Sequence, residues 1–173
     1  GRHGFPSLHF GSVAHHVISH ATCPTAVVPT GPRACSNSVV VGVSDSPGGS
    51  AALRFAFAEA ARRGAEVVAI RSWLGVPWRL AATAALPVVS SQMWESQERT
   101  VVSDCLMPVR QAFPSVPVRT VVTAEPIEIA LERAGLTAFM VVVGCRRADA
   151  SHLPRLGPVA SWAALHFDVP VVV

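Results

Sequence analysis

Short apolar runs alternate with segments of helical pattern along most of this chain, and no other feature restricts its fold as strongly. Five runs read as strands: VVVGV, EVVAIRSW, VPVRTVVT, FMVVVG and VPVVV. The continuous run VVVGV is typical of a strand buried on both faces. Helical segments separate the strands, which favours a parallel sheet covered on both sides. We therefore predict an α/β fold with a doubly wound, five-stranded parallel sheet. Its ligands are expected outside the carboxyl ends of the strands, where the strand order reverses.

Charge, cysteine spacing and hydropathy argue against several classes of function. The net charge is +3, and the 14 basic residues, all arginine, form no run longer than two, so we expect no nucleic-acid partner. The four cysteines lack metal-ligand spacing and suggest isolated thiols in a reducing compartment, so we expect a cytoplasmic location. No apolar run approaches the ~20 residues of a membrane span, and no signal peptide is evident, so we expect no membrane partner.

The first 29 residues echo the last 30, which indicates an internal repeat. In both segments a glycine, Gly11 or Gly157, opens an apolar helical pattern, and a short proline-containing strand follows. Gly1 and Arg147 each lie ten positions before that glycine. The same arrangement of loop, helix and strand is therefore expected at both ends of the chain.

The repeat predicts how the chain divides into domains. We expect residues 1–29 to be the C-terminal tail of a preceding copy of the domain, residues 30–37 to be a linker, and residues 38–173 to be a complete domain. Because the first residue is Gly rather than Met, we also expect the chain to start inside a longer protein.

The residues from Val39 to Trp73 and the loop after the fourth strand together resemble the universal stress protein family. The nucleotide motif of that family is Gly, two residues, Gly, nine residues, Gly, then Ser or Thr, and the spacing is kept here. The resemblance covers nearly the whole chain. It implies an adenine nucleotide alpha hydrolase-like fold with strand order 3-2-1-4-5, and homodimers or tandem domains paired through their fifth strands. On this basis we expect the strand near 26–28 to pair with the closing strand near 169–173.

The resemblance assigns the loop after the fourth strand to the phosphates. Gly144 and Gly157 keep two of the three glycines that permit close backbone approach, and the resemblance also assigns their neighbours Val143 and Val159 to the site. Arg147 replaces the middle glycine and introduces a Cβ, although its charge, with that of Arg146, could partly restore anion binding; a solvated surface pair is the alternative. Pro158 replaces Ser or Thr and supplies neither a hydroxyl nor an N–H. Its other interpretation is a favourable first helical residue.

The adenine end of the site also departs from the family pattern. An Asp after the first strand commonly contacts the base, and Ser44 stands at that position here, with Asp45 one residue later. A one-residue shift changes where a side chain points, so Asp45 is equally compatible with a turn-capping role. Ser72 lies where the backbone of family members touches adenine, and such a contact survives a change of side chain.

The N-terminal segment keeps more of the motif than the complete domain does. Gly1, Gly11 and Ser12 match its second half, but the strand and turn that would hold the base are absent from this chain. We expect this half-site to bind poorly here, and a complete first domain to be the better ATP site. His16 and His20 share a helix face, without an evident third metal ligand. Cys145, beside Arg146, is compatible with redox sensing or with an ordinary small residue.

Three functions remain open from the sequence. The first is a nucleotide-responsive switch that binds ATP or AMP, weakly in the complete domain and with no metal beyond nucleotide-bound magnesium. The second is a nucleotide-free dimerisation scaffold. The third is an ATP-hydrolysing enzyme, for which no base or metal-binding acid is visible, so we expect a non-enzymatic, stress-response role with a degraded nucleotide site.

Overall fold

The computed structural model describes residues 12–21, 23–29, 37–73, 91–145 and 156–173. Its helices are α1 (Ser12–His20), α2 (Pro47–Arg63), α3 (Ser91–Ala112), α4 (Ile127–Gly135) and α5 (Pro158–His166). Its strands are β1 (Ala26–Val27), β2 (Ser38–Gly42), β3 (Glu66–Ser72), β4 (Val118–Thr123), β5 (Met140–Val142) and β6 (Val171–Val172).

These strands form one sheet with the order β1-β6-β5-β2-β3-β4. Strands β2 to β6 are parallel to one another and, numbered from β2, have the predicted order 3-2-1-4-5. The α/β class and this order are confirmed. The prediction of a purely parallel five-stranded sheet is wrong in one respect, because β1 adds a sixth, antiparallel strand at the edge of β6.

The predicted pairing of the two terminal strands is also confirmed. Ala26 lies opposite Val172, and Val27 lies opposite Val171. Beside them, Thr25 and Val173 exchange two backbone hydrogen bonds, each 3.0 Å long. Strand β1 therefore covers the outer edge of β6 through main-chain bonds that do not depend on the identity of the side chains.

The core lies on both faces of the sheet, as the continuous apolar run of β2 predicts. Val39, Val40 and Val41 are all fully buried, and successive side chains point to opposite faces. Val39 and Val41 pack in a cluster with residues of α2 and α3, whereas Val40 packs in a cluster with residues of α4 and α5. The helices thus fix the sheet from both sides and leave its carboxyl ends available for a site.

The ends of helix α2 follow the local signals of the sequence. Ser46 is the N-cap and accepts a 3.1 Å hydrogen bond from the backbone N–H of Gly49, with Pro47 in the first turn. Gly64 ends the helix with φ of 63°, in the left-handed region that glycine tolerates best. A glycine at the end of an apolar helical pattern is the usual sequence signal for such a stop.

Helix α3 contains a proline, Pro108, a residue that can kink or break a helix. The helix runs unbroken from Ser91 to Ala112 with Pro108 inside it. Leu106 and Val109, on either side of the proline, are both buried in the same core cluster. Packing of both halves of the helix against one core therefore outweighs the loss of one backbone hydrogen bond.

Candidate functional site

The candidate site lies at the carboxyl edge of the sheet, where the strand order reverses. Strand β2 is bordered by β3 on one side and by β5 on the other, so the connection after β2 runs one way along the sheet and the connection after β5 runs the opposite way. Gly42 is in register with Ile70, and Val41 is in register with Val142. This register brings Ser44, Ser72 and Gly144, which follow or end these three strands, to the same edge.

The loop after β5 packs directly against the first turn of α2, backbone against backbone. A Cβ on Gly48 would lie 2.0 Å from the carbonyl oxygen of Cys145. A Cβ on Gly144 would lie 2.8 Å from both the carbonyl carbon and the oxygen of Gly48. Neither position can hold another residue unless the backbone moves. We call this three-residue arrangement of Gly48, Gly144 and Cys145 the glycine contact.

The glycine contact gives Gly144 a structural role that the sequence did not indicate. The prediction was that Gly144 lacks a Cβ so that phosphate can approach the backbone, and this role remains a prediction. In the described structure, the backbone of Gly48 lies next to the place where a side chain on Gly144 would begin. Gly144 is therefore required for loop packing, whether or not a nucleotide binds.

Gly48 and Gly49 are two important residues that the sequence analysis missed. A Cβ on Gly49 would lie 2.2 Å from the carbonyl oxygen of Ser44 and 2.3 Å from its hydroxyl oxygen. The signal was present, because two adjacent glycines in the first turn of a helix are unfavourable unless another part of the backbone comes close. The identity of the backbone that approaches Gly48 cannot be predicted from the local sequence, because it belongs to a distant part of the chain.

Ser44, the predicted counterpart of the family's adenine-contacting Asp, belongs to the cap of α2. Its hydroxyl oxygen lies 2.8 Å from that of Ser46, which also accepts the Gly49 N–H. Asp45 is exposed, and the capping role considered for it belongs to Ser46. Where family members present a carboxylate, this chain presents a hydroxyl that is already hydrogen-bonded.

Ser72 lies at the predicted place, at the end of β3. Its hydroxyl donates a 2.5 Å hydrogen bond to the carbonyl oxygen of Glu125. The carboxylate of Glu125 in turn accepts bonds of 3.0 and 2.6 Å from Arg133. The Ser72 side chain thus ties β3 to the start of α4, and contact of its backbone with a base stays a prediction.

Gly157, Pro158 and Val159 form the start of α5, whose N-cap has no side-chain hydrogen bond. Gly157 is the N-cap with an extended backbone, and its carbonyl accepts the first helical bond from Ser161 at 2.9 Å. Pro158 is confirmed as a first-turn residue, so this position offers no N–H. Val159 packs against the core cluster on the α4 and α5 side of the sheet.

Several predicted residues fall outside the part of the chain that the structure describes. These are Gly1, Gly11, Arg146 and Arg147. For Ser12 the backbone begins α1, and its side chain is outside the description. The motif is therefore seen at its two ends, Gly144 and Gly157, while its middle stays a prediction.

An ion pair at the same edge was not predicted. The Arg71 guanidinium at the end of β3 pairs with Glu98 of α3, and both side chains are largely buried, at 16% and 15% exposure. Arg71 also donates to the carbonyl oxygen of Val43 at 3.4 Å, just before Ser44. The pair therefore links α3 to the ends of β2 and β3.

Cys105 of α3 lies beside Ser44 at the same edge of the sheet. Its sulfur lies 3.9 Å from the carbonyl oxygen of Ser44. Burial raises the pKa of the Cys105 thiol, while the nearby positive charge of Arg71 partly opposes that shift. This thiol is less readily ionised than an exposed one, as expected for a packing residue rather than a nucleophile.

Within the described ranges, neither a metal site nor a membrane span is found. No three His, Cys, Asp or Glu side chains come close enough together to hold a metal ion. The rings of His16 and His20 stack on each other at 4.0 Å. None of the described helices is both long enough and apolar enough to cross a membrane.

Comparison with known proteins agrees with the fold. The model of the universal stress protein family matches residues 36–173. A universal stress protein of Mycobacterium tuberculosis is 30% identical over 167 residues, which is 94% of this chain and 52% of that relative. The chain thus spans about half the length of the curated relatives it matches.

Solved structures share the architecture at low sequence identity. The universal stress protein from Archaeoglobus fulgidus in complex with dAMP is 20% identical with a TM-score of 0.55, and the match covers 78% of this chain and 94% of that one. A universal stress protein in complex with cAMP is 16% identical with a TM-score of 0.54, and the match covers 79% and 94%. The match of the family model over residues 36–173, with which the strand order agrees, shows that the chain belongs to the universal stress protein family.

Proposed function

We propose that residues 38–173 form a stress-response domain whose adenine-nucleotide site is degraded, so that it binds ATP or AMP weakly. The observation that carries this proposal is the position of Ser44. The hydroxyl that replaces the family's carboxylate is held by Ser46 in the cap of α2. Turning this side chain toward a base or ribose would break its hydrogen bond with Ser46.

The phosphate end supports the same proposal. Helix α5 directs its N-terminus toward the strand-end edge, but Pro158 removes one N–H from the first turn and Gly157 brings no side-chain donor. A helix start binds anions through its unsatisfied N–H groups together with its dipole. With one donor and the motif hydroxyl both missing, the remaining attraction is weaker.

Some features still favour a residual adenylate site. The crevice at the reversal of strand order is present, and the backbone of Ser72 lies at its edge. Relatives with this fold are known in complex with dAMP and with cAMP. We therefore propose an adenine nucleotide as the ligand class and a binding role rather than a catalytic one.

We further propose that α1 and β1 are the tail of a preceding domain of the same kind. Helices α1 and α5 both have nine residues, and each is followed by a two-residue strand. In each helix an aromatic ring stacks on the ring of a histidine four residues later in the sequence. The Nδ1 atom of that histidine lies 2.8 Å from the backbone carbonyl oxygen of the residue on which it stacks. The pairs are His16 with His20, at 4.0 Å, and Trp162 with His166, at 4.6 Å.

The two helices differ in what covers them. Val17 occupies the position in α1 that Ala163 occupies in α5. Ala163 is fully buried in the core, whereas Val17 is 50% exposed. We propose that the sheet of a preceding domain covers Val17 in a longer protein, where the pairing of β1 with β6 serves as the contact between the two domains.

Titration calorimetry with ATP and with AMP tests the proposed nucleotide site. The double variant Arg147→Gly, Pro158→Ser restores the family motif, and Pro158→Ala removes the proline without adding a hydroxyl. We expect weak binding by the natural chain and an affinity about tenfold higher in the double variant, the effect of one hydrogen bond to a charged group. Micromolar binding by the natural chain, with no gain in the double variant, would show that the site is not degraded.

A further inference from the structure

We propose that the crevice at the carboxyl edge of the sheet recognises the adenine nucleoside alone, so that its preferred ligand is uncharged adenosine and phosphate groups add no affinity. This inference rests on the proposed function, from which it takes the crevice and the preference for adenine. It adds the chemical class of the ligand, and the charges that the protein places at this edge carry it.

Two arginines of the described structure reach this edge, and carboxylates already neutralise both. Arg71 pairs with Glu98 of α3, and both side chains are largely buried, at 16% and 15% exposure. Arg133 donates hydrogen bonds of 3.0 and 2.6 Å to Glu125, just after β4. Turning either guanidinium toward a phosphate would separate it from its carboxylate. These two arginines therefore offer little of the positive charge that phosphate groups need.

Two further carboxylates, those of Asp45 and Asp104, are exposed near Ser44. Burial is the main cause of the raised pKa of the Cys105 thiol, and the charges of Asp45 and Asp104 raise it further, so both lie near that sulfur. The sulfur is 3.9 Å from the carbonyl oxygen of Ser44. Within the described ranges neither carboxylate is in an ion pair. The described edge thus has an excess of negative charge, which repels phosphate groups.

The start of α5 does not offset this negative charge. Gly157 has no side-chain hydrogen bond to offer at the N-cap, and Pro158 has no N–H in the first turn. A phosphate group at this end would meet fewer donors than a helix start usually presents.

The base end of the crevice, in contrast, is held in place by groups outside it. The Arg71 guanidinium donates to the carbonyl oxygen of Val43 at 3.4 Å, and the Ser72 hydroxyl donates to that of Glu125 at 2.5 Å. The ends of β2 and β3 therefore keep their positions without a ligand. An adenine base is neutral, so it gains from a preformed crevice and is not repelled by the carboxylates.

Titration calorimetry of the full chain with adenosine, AMP and ATP tests the proposal, at low and at high salt and with ATP also in the presence of Mg²⁺. We expect adenosine to bind at least as tightly as AMP and ATP, with an affinity that does not depend on salt. The affinity for ATP should rise as salt screens the carboxylates.

The variant Asp45→Asn removes one of the unpaired negative charges. It should raise the ratio of ATP affinity to adenosine affinity about two- to fivefold. Glu66→Gln is the matched control, because it removes the same charge at the opposite end of β3, about 20 Å away, and should leave that ratio unchanged.

The proposal is overturned if AMP or ATP binds more tightly than adenosine, with or without Mg²⁺. It is also overturned if ATP binds more tightly as salt is lowered, which would show attraction by Arg146 and Arg147, outside the described residues, or if Asp45→Asn changes the ratio no more than Glu66→Gln does. If AMP or ATP binds and adenosine does not, this inference fails and the proposed function stands. If none of the three binds, the proposed function fails with it.

Discussion

Gly144 and Gly48 meet across the strand-end crevice, with the Cα of Gly144 so close that a Cβ there would lie 2.8 Å from the carbonyl group of Gly48. The two glycines belong to elements nearly a hundred residues apart in sequence, the loop after β5 and the first turn of α2. Their contact fixes how the two loops that flank the candidate site stand relative to each other. Loop geometry at this site is therefore set by packing of the protein on itself.

A substitution of Gly48 by Ala should destabilise the domain, because the new methyl group would collide with the carbonyl of Cys145. Forced backbone shifts of this kind typically cost about 1–3 kcal/mol, well above the gain in helix propensity. Urea unfolding followed by circular dichroism measures the change. Ser50→Ala, at an exposed position two residues further along the same helix, is the control and should change stability by less than about 0.5 kcal/mol. Equal stability of both variants would mean that the two loops are not in tight contact.

A second prediction concerns the cap that holds Ser44. Ser46→Ala removes both the acceptor for the Gly49 N–H and the partner of the Ser44 hydroxyl. The expected loss is about 1 kcal/mol in the free energy of unfolding. Ser46→Asp keeps a capping acceptor and adds charge at the helix N-terminus, so it should restore most of that stability. If Ser46→Asp were as unstable as Ser46→Ala, the cap would not be the source of the effect.

Local signals in the sequence were sufficient for much of the fold. The strands, the stop at Gly64 and the first-turn position of Pro158 could be predicted because each depends on a few neighbouring residues. The pairing of Ala26 with Val172 could be predicted because the two ends of the chain repeat one pattern. This pairing adds β1 to the sheet as a sixth strand, which the predicted five-stranded sheet did not include.

The site was less predictable, because its contacts join distant parts of the chain. Nothing near Gly48 shows that the carbonyl of Cys145 approaches it. Nor does the run of polar residues in α3 show that Glu98, rather than Glu95, turns inward to meet Arg71, since this depends on the rotation of the helix against the sheet. Such contacts follow from the assembled fold, not from spacing.

The pair of Arg71 and Glu98 gives a third prediction. Both side chains are largely buried, so Glu98→Gln leaves the Arg71 charge without its carboxylate and should destabilise the domain by about 1–3 kcal/mol. The neighbouring pair of Glu95 and Arg99 lies on the same helix and is much more exposed. Glu95→Gln is therefore the matched control, with an expected change below about 0.5 kcal/mol.

Thermal or urea unfolding of both variants distinguishes these outcomes. A double-mutant cycle that adds Arg71→Met to Glu98→Gln isolates the interaction of the two charges. The double variant should regain part of the stability lost in Glu98→Gln, because no buried charge is then left alone. If Glu98→Gln and Glu95→Gln had the same effect, the burial of the first pair would not matter to stability.

The fourth prediction concerns the pH dependence of Cys105. Since burial raises the pKa of its thiol above the ordinary value of 9.0, the reactive thiolate forms in the folded protein only at higher pH than in the unfolded chain. Alkylation by iodoacetamide, followed site by site with mass spectrometry, should therefore modify exposed Cys23 first and Cys105 more slowly. Unfolding in urea should abolish the difference.

The same shift predicts how stability depends on pH. A raised pKa means that the folded state holds the proton more tightly than the unfolded state does. The stabilisation from the neutral thiol is thus fully present below pH 9.0 and is lost as the pH rises through the higher folded value. Cys105→Ser, which does not ionise in this range, should lose less stability than the natural chain as the pH is raised above 9.0. If the free energy of unfolding depended on pH in the same way in the natural chain and in Cys105→Ser, the Cys105 thiol would have the same pKa in the folded and unfolded states. That result would contradict the effect of burial on this thiol.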